Sequence, residues 1–226
     1  MFQLMKKAVL VSISIFGCFI SIAQSKIIKE VFRLLPTDQV YDLSLATRDS
    51  MLAGKTYYPA DNDSDQIVAY NLGISTDIND YMYVSMSFET AQRATGMIEI
   101  RSFKMTNGEN LILVSQTGGI WQVNYRQHDV FAFIYNKNKK LVPYKKEILP
   151  EANESLFMKP GIPDSVKKEI LNNSNLTYNL SGEKIILSLD SYYISDDDTM
   201  RKWLKGNLVY FDWIKDRFVM GKFGFE

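Results

Sequence analysis

The sequence predicts an α+β fold: an antiparallel sheet of several hairpins, with an N-terminal helix and two short helices. Two observations predict it. Segments in which apolar and polar side chains alternate every second residue, the period of a half-buried strand, outnumber segments with helical periodicity. Most of the strand-like segments are also joined by short turns, which favours antiparallel neighbours.

The N-terminal helix is predicted over residues 30–55, with a break at Pro36. Thr37 is in position to cap the second segment, and Asp38 suits the positive end of the helix dipole. Gly54 is a natural C-terminal stop. The face predicted to pack inward holds Val40, Leu43, Thr47 and Met51.

The two short helices are predicted over residues 160–173 and 195–206. Pro163 suits the first turn of the former, and Gly206 is the expected stop of the latter. In the first of them, the residues expected to face inward are Val166, Ile170 and Leu171.

The clearest strand is residues 81–88, in which one predicted face is apolar and the other carries tyrosine and serine hydroxyls. The Asn-Gly pair at 107–108 separates two further strand-like runs and is a strong hairpin signal. Other hairpins are expected to turn at 181–182 and near 215–216. The apolar residues of the clearest strand are Met82, Val84, Met86 and Phe88.

Residues 121–133 contain His128, the single histidine of the chain. Trp121 and Tyr125 share one predicted strand face. The polar run Arg-Gln-His-Asp that follows predicts a turn, so His128 is expected at or beside that turn and exposed. The alternative is a general base beside Asp129. Adjacent residues on a strand point to opposite faces, however, and one histidine cannot complete a typical zinc site.

The first 23 residues are predicted to be a secretory signal peptide. Lys6 and Lys7 precede an apolar run, and Ser21 and Ala23 form a small-x-small cleavage site. The run is shorter than the ~20 residues of a spanning helix. Cleavage after Ala23 is therefore favoured over a retained membrane anchor.

Cleavage removes Cys18, the only cysteine, and would leave the exported chain without a disulfide or a cysteine-based metal site. The sequence Ile-Phe-Gly-Cys at 15–18 loosely resembles a lipobox, so a lipid anchor at Cys18 is the alternative. We expect one exported α+β domain over residues 24–226, in the periplasm or associated with the cell envelope. Residues 150–162 are the expected soft boundary between two lobes, and no integral membrane segment is expected after cleavage.

The charge balance, 26 basic and 26 acidic residues, argues against a nucleic-acid binder, which usually has a basic excess or stripe. Asp61, Asp63 and Asp65 match the first ligand positions of a calcium loop. Gln66 and Leu72, however, occupy the positions of its glycine and its bidentate glutamate. The sequence also lacks a glycine-rich phosphate loop and the common serine-nucleophile motifs. We therefore assign no metal ligand, no cofactor and no catalytic residue.

Aromatic residues form the candidate binding surface. The predicted binding residues are Tyr81, Tyr83, Trp121 and Tyr125, and a wider set adds Tyr57, Tyr58, Tyr192 and Tyr193. Together they would line a groove for a peptide or a glycan. The alternative is that these rings pack across the sheet and fill the core, as strand tyrosines commonly do.

Three stretches carry a resemblance to a known family: VFRLLPTDQVYDLSLATRDSML, GENLILVSQTGGIWQVNYRQHDVFAFIYNKNKKLVPY, and LTYNLSGEKIILSL with NLVYFDWIKDRFV. The motifs are Phe-x-x-Leu-Pro at 32–36, Arg-Asp-x-Met at 48–51 and a closing hairpin around Trp213. With them the chain resembles the secreted Bacteroidetes proteins of domain of unknown function 3256. Many members carry cysteines in the stretch that corresponds to GGIWQVNYRQHD, so this chain resembles a divergent member. The resemblance implies export and a shared domain, and it implies no reaction.

Three functions are compatible with these observations. The first is a non-enzymatic binding protein of the cell envelope, with an envelope protein or a glycan as its partner. The second is an envelope hydrolase that uses carboxylates or His128, and the third is a carrier of a small apolar ligand. A flat tyrosine-rich face would favour the binding protein. A polar cleft around His128 would favour the hydrolase, and a deep dry cavity would favour the carrier.

Overall fold

The protein forms three layers: a pair of helices, a six-stranded antiparallel sheet and a four-stranded antiparallel sheet. The structure is a computed structural model. It describes residues 26–58, 68–75, 80–88, 94–120, 125–150, 153–190 and 198–225. The predicted α+β class is confirmed at this level, and strands predominate. The expectation of one sheet is wrong, because the C-terminal hairpins form a second sheet that packs on the first.

The strands of each sheet follow one another in the sequence, and every pair is antiparallel. The six-stranded sheet holds β1 (Val68–Ile74), β2 (Tyr81–Phe88), β3 (Ala94–Lys104), β4 (Asn110–Ile120), β5 (Tyr125–Tyr135) and β6 (Leu141–Pro143), in that order. The four-stranded sheet holds β7 (Asn175–Asn179), β8 (Ile185–Asp190), β9 (Leu208–Ile214) and β10 (Arg217–Gly224), again in sequential order.

The helical segments are α1 (26–34), α2 (Leu45–Leu52), α3 (Asp164–Asn173) and α4 (Asp198–Arg201), with 3-10 turns at Thr37–Gln39 and Glu154–Phe157. α1 ends before Pro36, since the residue before a proline is disfavoured in helical conformation. Thr37 is not the cap of the next helix. Instead the hydroxyl of Ser44 caps α2 and accepts the backbone N–H of Thr47 at 3.1 Å. Gly54 follows α2 with a φ of 86°, the left-handed conformation that suits glycine.

Three expectations about the short helices are wrong. Pro163 is the N-cap of α3 and does not lie inside its first turn. Leu171, which was expected to face inward, is 42% exposed, whereas Ile170 is buried. α4 ends at Arg201, so Gly206 is not its stop. In the part of the chain that the structure describes, no helix has the length and apolar character needed to cross a bilayer.

One face of the six-stranded sheet packs against α1 and α2. Alternate residues of the three central strands supply this face, as the two-residue period of a strand requires. Those that are fully buried are Met82, Val84, Ile98, Ile100, Ile112 and Val114. The helical layer contributes Ile28, Val31, Phe32, Leu35 and Met51. The strand positions of this core are mainly apolar, and Ser102, opposite Ile112 on the same face, is a buried polar residue among them.

Arg48 joins the two helices of this layer. Its guanidinium is buried and donates through Nη1 to the carbonyl oxygens of Phe32 and Leu35, at 2.8 and 2.7 Å. The last carbonyls of a helix lack partners within it, so a buried donor at this point stabilises the end of α1. Arg33 and Asp49 form an ion pair at the surface beside it, with 2.5 Å between Nε and Oδ1. The two N-terminal motifs that carry the family resemblance therefore contact each other.

The other face of the six-stranded sheet packs against the four-stranded sheet. The buried residues of this inter-sheet core include Phe103, Leu111, Leu113, Leu187, Leu189, Val209 and Phe211. Two hairpin ends also meet. The Asp216 carboxylate accepts from the backbone N–H of Thr106 at 2.8 Å and from its hydroxyl, and the indole N–H of Trp213 donates to the Lys104 carbonyl at 3.0 Å. These bonds fix the position of one sheet on the other.

His128 lies inside a strand. β5 runs without a break from Tyr125 through the polar run that was expected to turn, and His128 is opposite Thr117 in the ladder with β4. The predicted turn is wrong, because pairing with a long neighbouring strand extends β5 through residues that the local pattern assigns to a turn. Trp121 and the acidic loop at 61–65 lie outside the described residues, so the expectations about them stay predictions.

Candidate functional site

Tyr81 and Tyr83 lie two residues apart on β2, on the face of the six-stranded sheet that is turned toward the second sheet. Their ring centroids are 6.2 Å apart. Tyr81 is 5% exposed and belongs to the inter-sheet core, whereas Tyr83 is 37% exposed. The boundary between the covered and the open half of this face therefore passes between two predicted binding residues.

The turn between β7 and β8 covers Tyr81. The buried carboxylate of Glu99 on β3 links the two. It accepts the Tyr81 hydroxyl at 2.8 Å and the backbone N–H of Leu180 at 3.2 and 3.3 Å from its two oxygens. Burial raises the pKa of Glu99, and these two hydrogen bonds oppose the increase.

Arg101, two residues further along β3, binds the same turn. Its guanidinium donates to the carbonyl oxygens of Leu180 at 2.9 Å, of Gly182, and of Glu183 at 3.0 Å. Burial lowers the pKa of Arg101, and the nearby acidic groups oppose that change. A planar guanidinium with several fixed donors suits this arrangement, because one side chain satisfies three carbonyls of a tight turn.

Asp80 completes the group. It precedes β2 with a φ of 66°, and its carbonyl oxygen accepts the backbone N–H of Ser102 at 2.9 Å. Its Oδ1 is buried and has no hydrogen-bond partner among the residues that the structure describes. Burial raises the pKa of Asp80 to about 6, and the positive charge of Arg101 limits the increase. We call Asp80, Tyr81, Glu99 and Arg101 the inter-sheet polar cluster.

The inter-sheet polar cluster holds the second sheet on the first. The side-chain hydrogen bonds of Tyr81, Glu99 and Arg101 run to backbone atoms of the 180–183 turn or between these residues. Burial raises the pKa of Tyr81, and the adjacent Glu99 carboxylate adds to the increase. The hydroxyl thus stays protonated as a donor. Within the described residues, no three side chains of the histidine, cysteine, aspartate or glutamate type converge as a metal site would require.

Beyond this turn the sheet face is open to solvent. Tyr83 lies across Gly73, its ladder partner on β1: a Cβ built on Gly73 would be 2.2 to 2.5 Å from the Cζ, Cε1 and Oη atoms of the ring. The next row of the same face runs from β1 to β4 through facing residues of successive strands. We define the open patch as Asn71, Tyr83, Ser85, Ser87, Met97 and Thr117, all of them half-buried or exposed.

A second group of tyrosines lies on the opposite face of the sheet. Tyr41, Tyr57 and Tyr70 pack beside the helical layer, with ring centroids 6.2 Å apart for Tyr41 and Tyr70 and 5.8 Å for Tyr57 and Tyr70. The Tyr41 hydroxyl donates to the Thr117 carbonyl at 2.9 Å, and burial raises the pKa of Tyr41 to about 12. Tyr57, a member of the wider predicted set, therefore lies on the opposite face of the sheet from Tyr81 and Tyr83.

The structure brings together two of the four predicted binding residues, Tyr81 and Tyr83. Tyr125 begins β5 opposite Ile120, and Trp121 lies outside the described residues together with 192–193. Sequence reasoning missed Glu99 and Arg101. A signal was present: on their face of β3, Met97 precedes and Phe103 follows these two residues, so two opposite charges lie between apolar side chains.

Comparison with known proteins supports the fold alone. No protein-family model and no curated protein matches the chain. The chain is similar to a solved structure of a domain of an uncharacterized protein from Porphyromonas gingivalis W83, with a TM-score of 0.57 and 12% sequence identity. The match covers 86% of this chain and 98% of that chain. The organism is a member of the Bacteroidetes, which agrees in broad terms with the family resemblance in the sequence.

Proposed function

We propose that the protein is an exported, non-enzymatic binding protein of the cell envelope, and that the open patch is its binding surface. The observation that carries the proposal is the position of Tyr83. Its ring rests on the backbone of Gly73 and remains 37% exposed, at the edge of a rigid sheet. A large, partly exposed aromatic ring on a fixed backbone is typical of binding surfaces, since it offers contact area at low entropic cost.

The envelope hydrolase has less support. Asp80, with a pKa raised to about 6, has the acidity of a general acid. The other carboxylate of the inter-sheet polar cluster, Glu99, is however 1% exposed and accepts bonds from Tyr81 and Leu180 under the covering turn. A substrate would have to displace that turn to reach Glu99. The apolar carrier has less support as well, because the inner positions of both cores are filled by fully buried side chains.

Export is part of the proposal. N-terminal sequencing or intact-mass measurement of the protein recovered from cells should give a mature chain that begins at Gln24. A mass that matches a diacylated Cys18 would show a lipid anchor and would contradict cleavage after Ala23. We also propose that the chain is a divergent member of the domain of unknown function 3256, which the shared fold of a Bacteroidetes protein supports.

A single-cysteine experiment tests the open patch. Cys18 is the only cysteine and precedes the proposed cleavage site, so Ser87→Cys would introduce one unique thiol at the exposed edge of the patch. A maleimide photo-crosslinker on this thiol, irradiated with the native envelope fraction, should give an adduct that disappears when Tyr83→Ala is added. Leu45→Cys is the control, because Leu45 is 52% exposed on the helical layer. Equal adducts from both positions, or none from Ser87→Cys, would contradict the proposal.

A further inference from the structure

The chemistry of the open patch points to one class of ligand. Among the side chains of this patch that the structure describes, hydroxyl and amide groups surround one tyrosine ring and one methionine, and none is formally charged. The charged residues nearest along β3, Glu99 and Arg101, are buried and bound under the 180–183 turn. An uncharged surface favours an uncharged ligand, because a charged ligand would be desolvated without a compensating charge among the described side chains of the patch.

We infer that the open patch binds an uncharged glycan, with Tyr83 as the ring on which a sugar stacks. This inference rests on the proposed binding function of the same patch. A pyranose ring has one or two faces of C–H groups and a rim of hydroxyls. The C–H face matches an aromatic ring, and the hydroxyls match donors and acceptors of the hydroxyl and amide type.

The geometry of the sheet supports this match. Asn71 and Ser85 face each other on neighbouring strands, one row beyond Gly73 and Tyr83. The hydroxyl of Thr56 and the Oδ1 atom of Asn71 are 2.9 Å apart, which orients the amide and leaves its NH₂ group as a donor. Strands lie ~4.8 Å apart and alternate residues ~6.6 Å apart, so polar groups surround the ring at the scale of a single sugar unit.

A polypeptide strand fits this site less well. Binding of an extended peptide usually adds a strand to a free sheet edge. The edge strand here is β1, and Tyr57 already occupies the middle of its outer side. Tyr57 and Tyr70 exchange two backbone hydrogen bonds, with N–O distances of 3.1 and 2.9 Å. A peptide would therefore have to bind through side chains alone.

Native affinity electrophoresis tests the inference. The mature protein is run through gels that contain hydroxyethyl cellulose, glycogen or galactomannan, which are neutral, or alginate, which is acidic. We expect retardation by at least one neutral polysaccharide and none by alginate. In that gel Tyr83→Ala should weaken binding by about tenfold or more, the effect of losing a central aromatic contact.

Matched variants separate stacking from loss of the fold. Leu45→Ala shortens an apolar side chain that is 52% exposed on the helical layer, away from the patch, and should leave retardation within about twofold of the parent protein. Ser87→Arg adds bulk and charge at an exposed patch position and should also weaken binding, even if Tyr83→Ala unfolds. Circular dichroism confirms the fold of each variant.

Two results would overturn the glycan inference. One is the absence of retardation in all three neutral gels, and the other is retardation that Tyr83→Ala and Ser87→Arg leave unchanged. The photo-crosslinking experiment then separates the two proposals. A Tyr83-dependent protein adduct from Ser87→Cys together with negative gels would refute the glycan and retain the binding surface. The loss of both signals would refute the binding surface itself.

Discussion

Tyr81 and Tyr83 share a strand, a face and a residue type, yet they belong to two different regions of the molecule. In the covered half, Tyr81 is 5% exposed and its hydroxyl binds a buried carboxylate. In the open half, Tyr83 is 37% exposed and its ring lies over a glycine. The difference shows that coverage by the second sheet, and not the position on the strand, decides whether a tyrosine on this face is buried or exposed.

The two halves also differ in how polar groups are satisfied. The covered half buries Glu99 and Arg101, which is tolerable only because the 180–183 turn supplies backbone partners in fixed positions. The open half carries hydroxyls that water can satisfy. Substitutions in the covered half should therefore change stability strongly, whereas those in the open half should change binding and leave stability almost unaffected.

Arg101→Ala should have the largest effect on stability. It leaves three carbonyl oxygens of the 180–183 turn without their donor and removes the positive charge beside the buried Glu99. Breaking a buried, hydrogen-bonded charge arrangement from one side costs about 3–5 kcal/mol. Urea unfolding of the mature protein measures it.

Arg33→Ala is the control for that measurement. Arg33 also forms an ion pair, with Asp49, but its side chain is 45% exposed. Surface pairs of this kind contribute about 0–1 kcal/mol. Similar losses for the two arginines would show that the inter-sheet polar cluster is not what holds the sheets together.

The matched pair Tyr81→Phe and Tyr83→Phe tests the comparison directly. Tyr81→Phe removes the hydroxyl donor to the Glu99 carboxylate, a hydrogen bond to a buried charged group, and should cost about 1.5–3 kcal/mol. Tyr83→Phe removes a hydroxyl from a partly exposed ring and should change the free energy of unfolding by less than about 0.5 kcal/mol. Thermal melts of both variants give the answer, and equal shifts would remove the distinction between the two halves.

The sequence predicts what depends on neighbours along the chain. The alternation in β2 correctly separates Met82 and Val84 from the tyrosine face, because strand geometry alone sets that period. It misplaces Tyr81, because a face that alternation marks as polar is buried when a distant hairpin covers it. The same limit hides Glu99 and Arg101, whose partners are about 80 residues away.

The structure shows what two residues of the family-resemblance motifs, Arg48 and Trp213, contact. Arg48 binds carbonyls at the end of α1, and Trp213 packs against Phe103 and donates to the Lys104 carbonyl. Both are contacts between separate elements and stabilise their packing. These motifs therefore indicate the architecture. They give no information about a ligand, because the open patch contains none of the motif residues.

Asp80→Asn should stabilise the covered half, and only above a defined pH. The pKa of Asp80 rises from 3.8 to about 6 on folding because the carboxyl is buried. Ionised Asp80 thus destabilises the folded protein. This destabilisation is absent below about pH 4, grows as the pH rises, and is complete above about pH 6. This rise in pKa corresponds to at most ~3 kcal/mol of stability, and partial exposure of the carboxyl reduces it. We expect a gain of about 1–2 kcal/mol at neutral pH and none at about pH 4.

Asp42→Asn is the matched control for this substitution. Asp42 is exposed and has a φ of 54°, so the two positions share the left-handed backbone that asparagine tolerates well. Unfolding curves at both pH values should show no comparable gain for Asp42→Asn. A gain for Asp80→Asn that is equal at the two pH values would mean that the burial of its carboxyl is not the cause.

Gly73→Ala should have a small effect on the free energy of unfolding, and the sign of that effect should depend on Tyr83. In the parent protein the new methyl group would lie 2.2 to 2.5 Å from the ring, which must move, at a cost of about 1 kcal/mol. In a Tyr83→Ala background the space is free, and replacing a strand glycine by alanine should instead stabilise the protein by about 0.5 kcal/mol. A double-mutant cycle from urea unfolding measures the coupling, expected near 1.5 kcal/mol. Additive effects would show that the ring of Tyr83 does not rest on Gly73 in solution, and the open patch would then lack the fixed aromatic surface on which its proposed role depends.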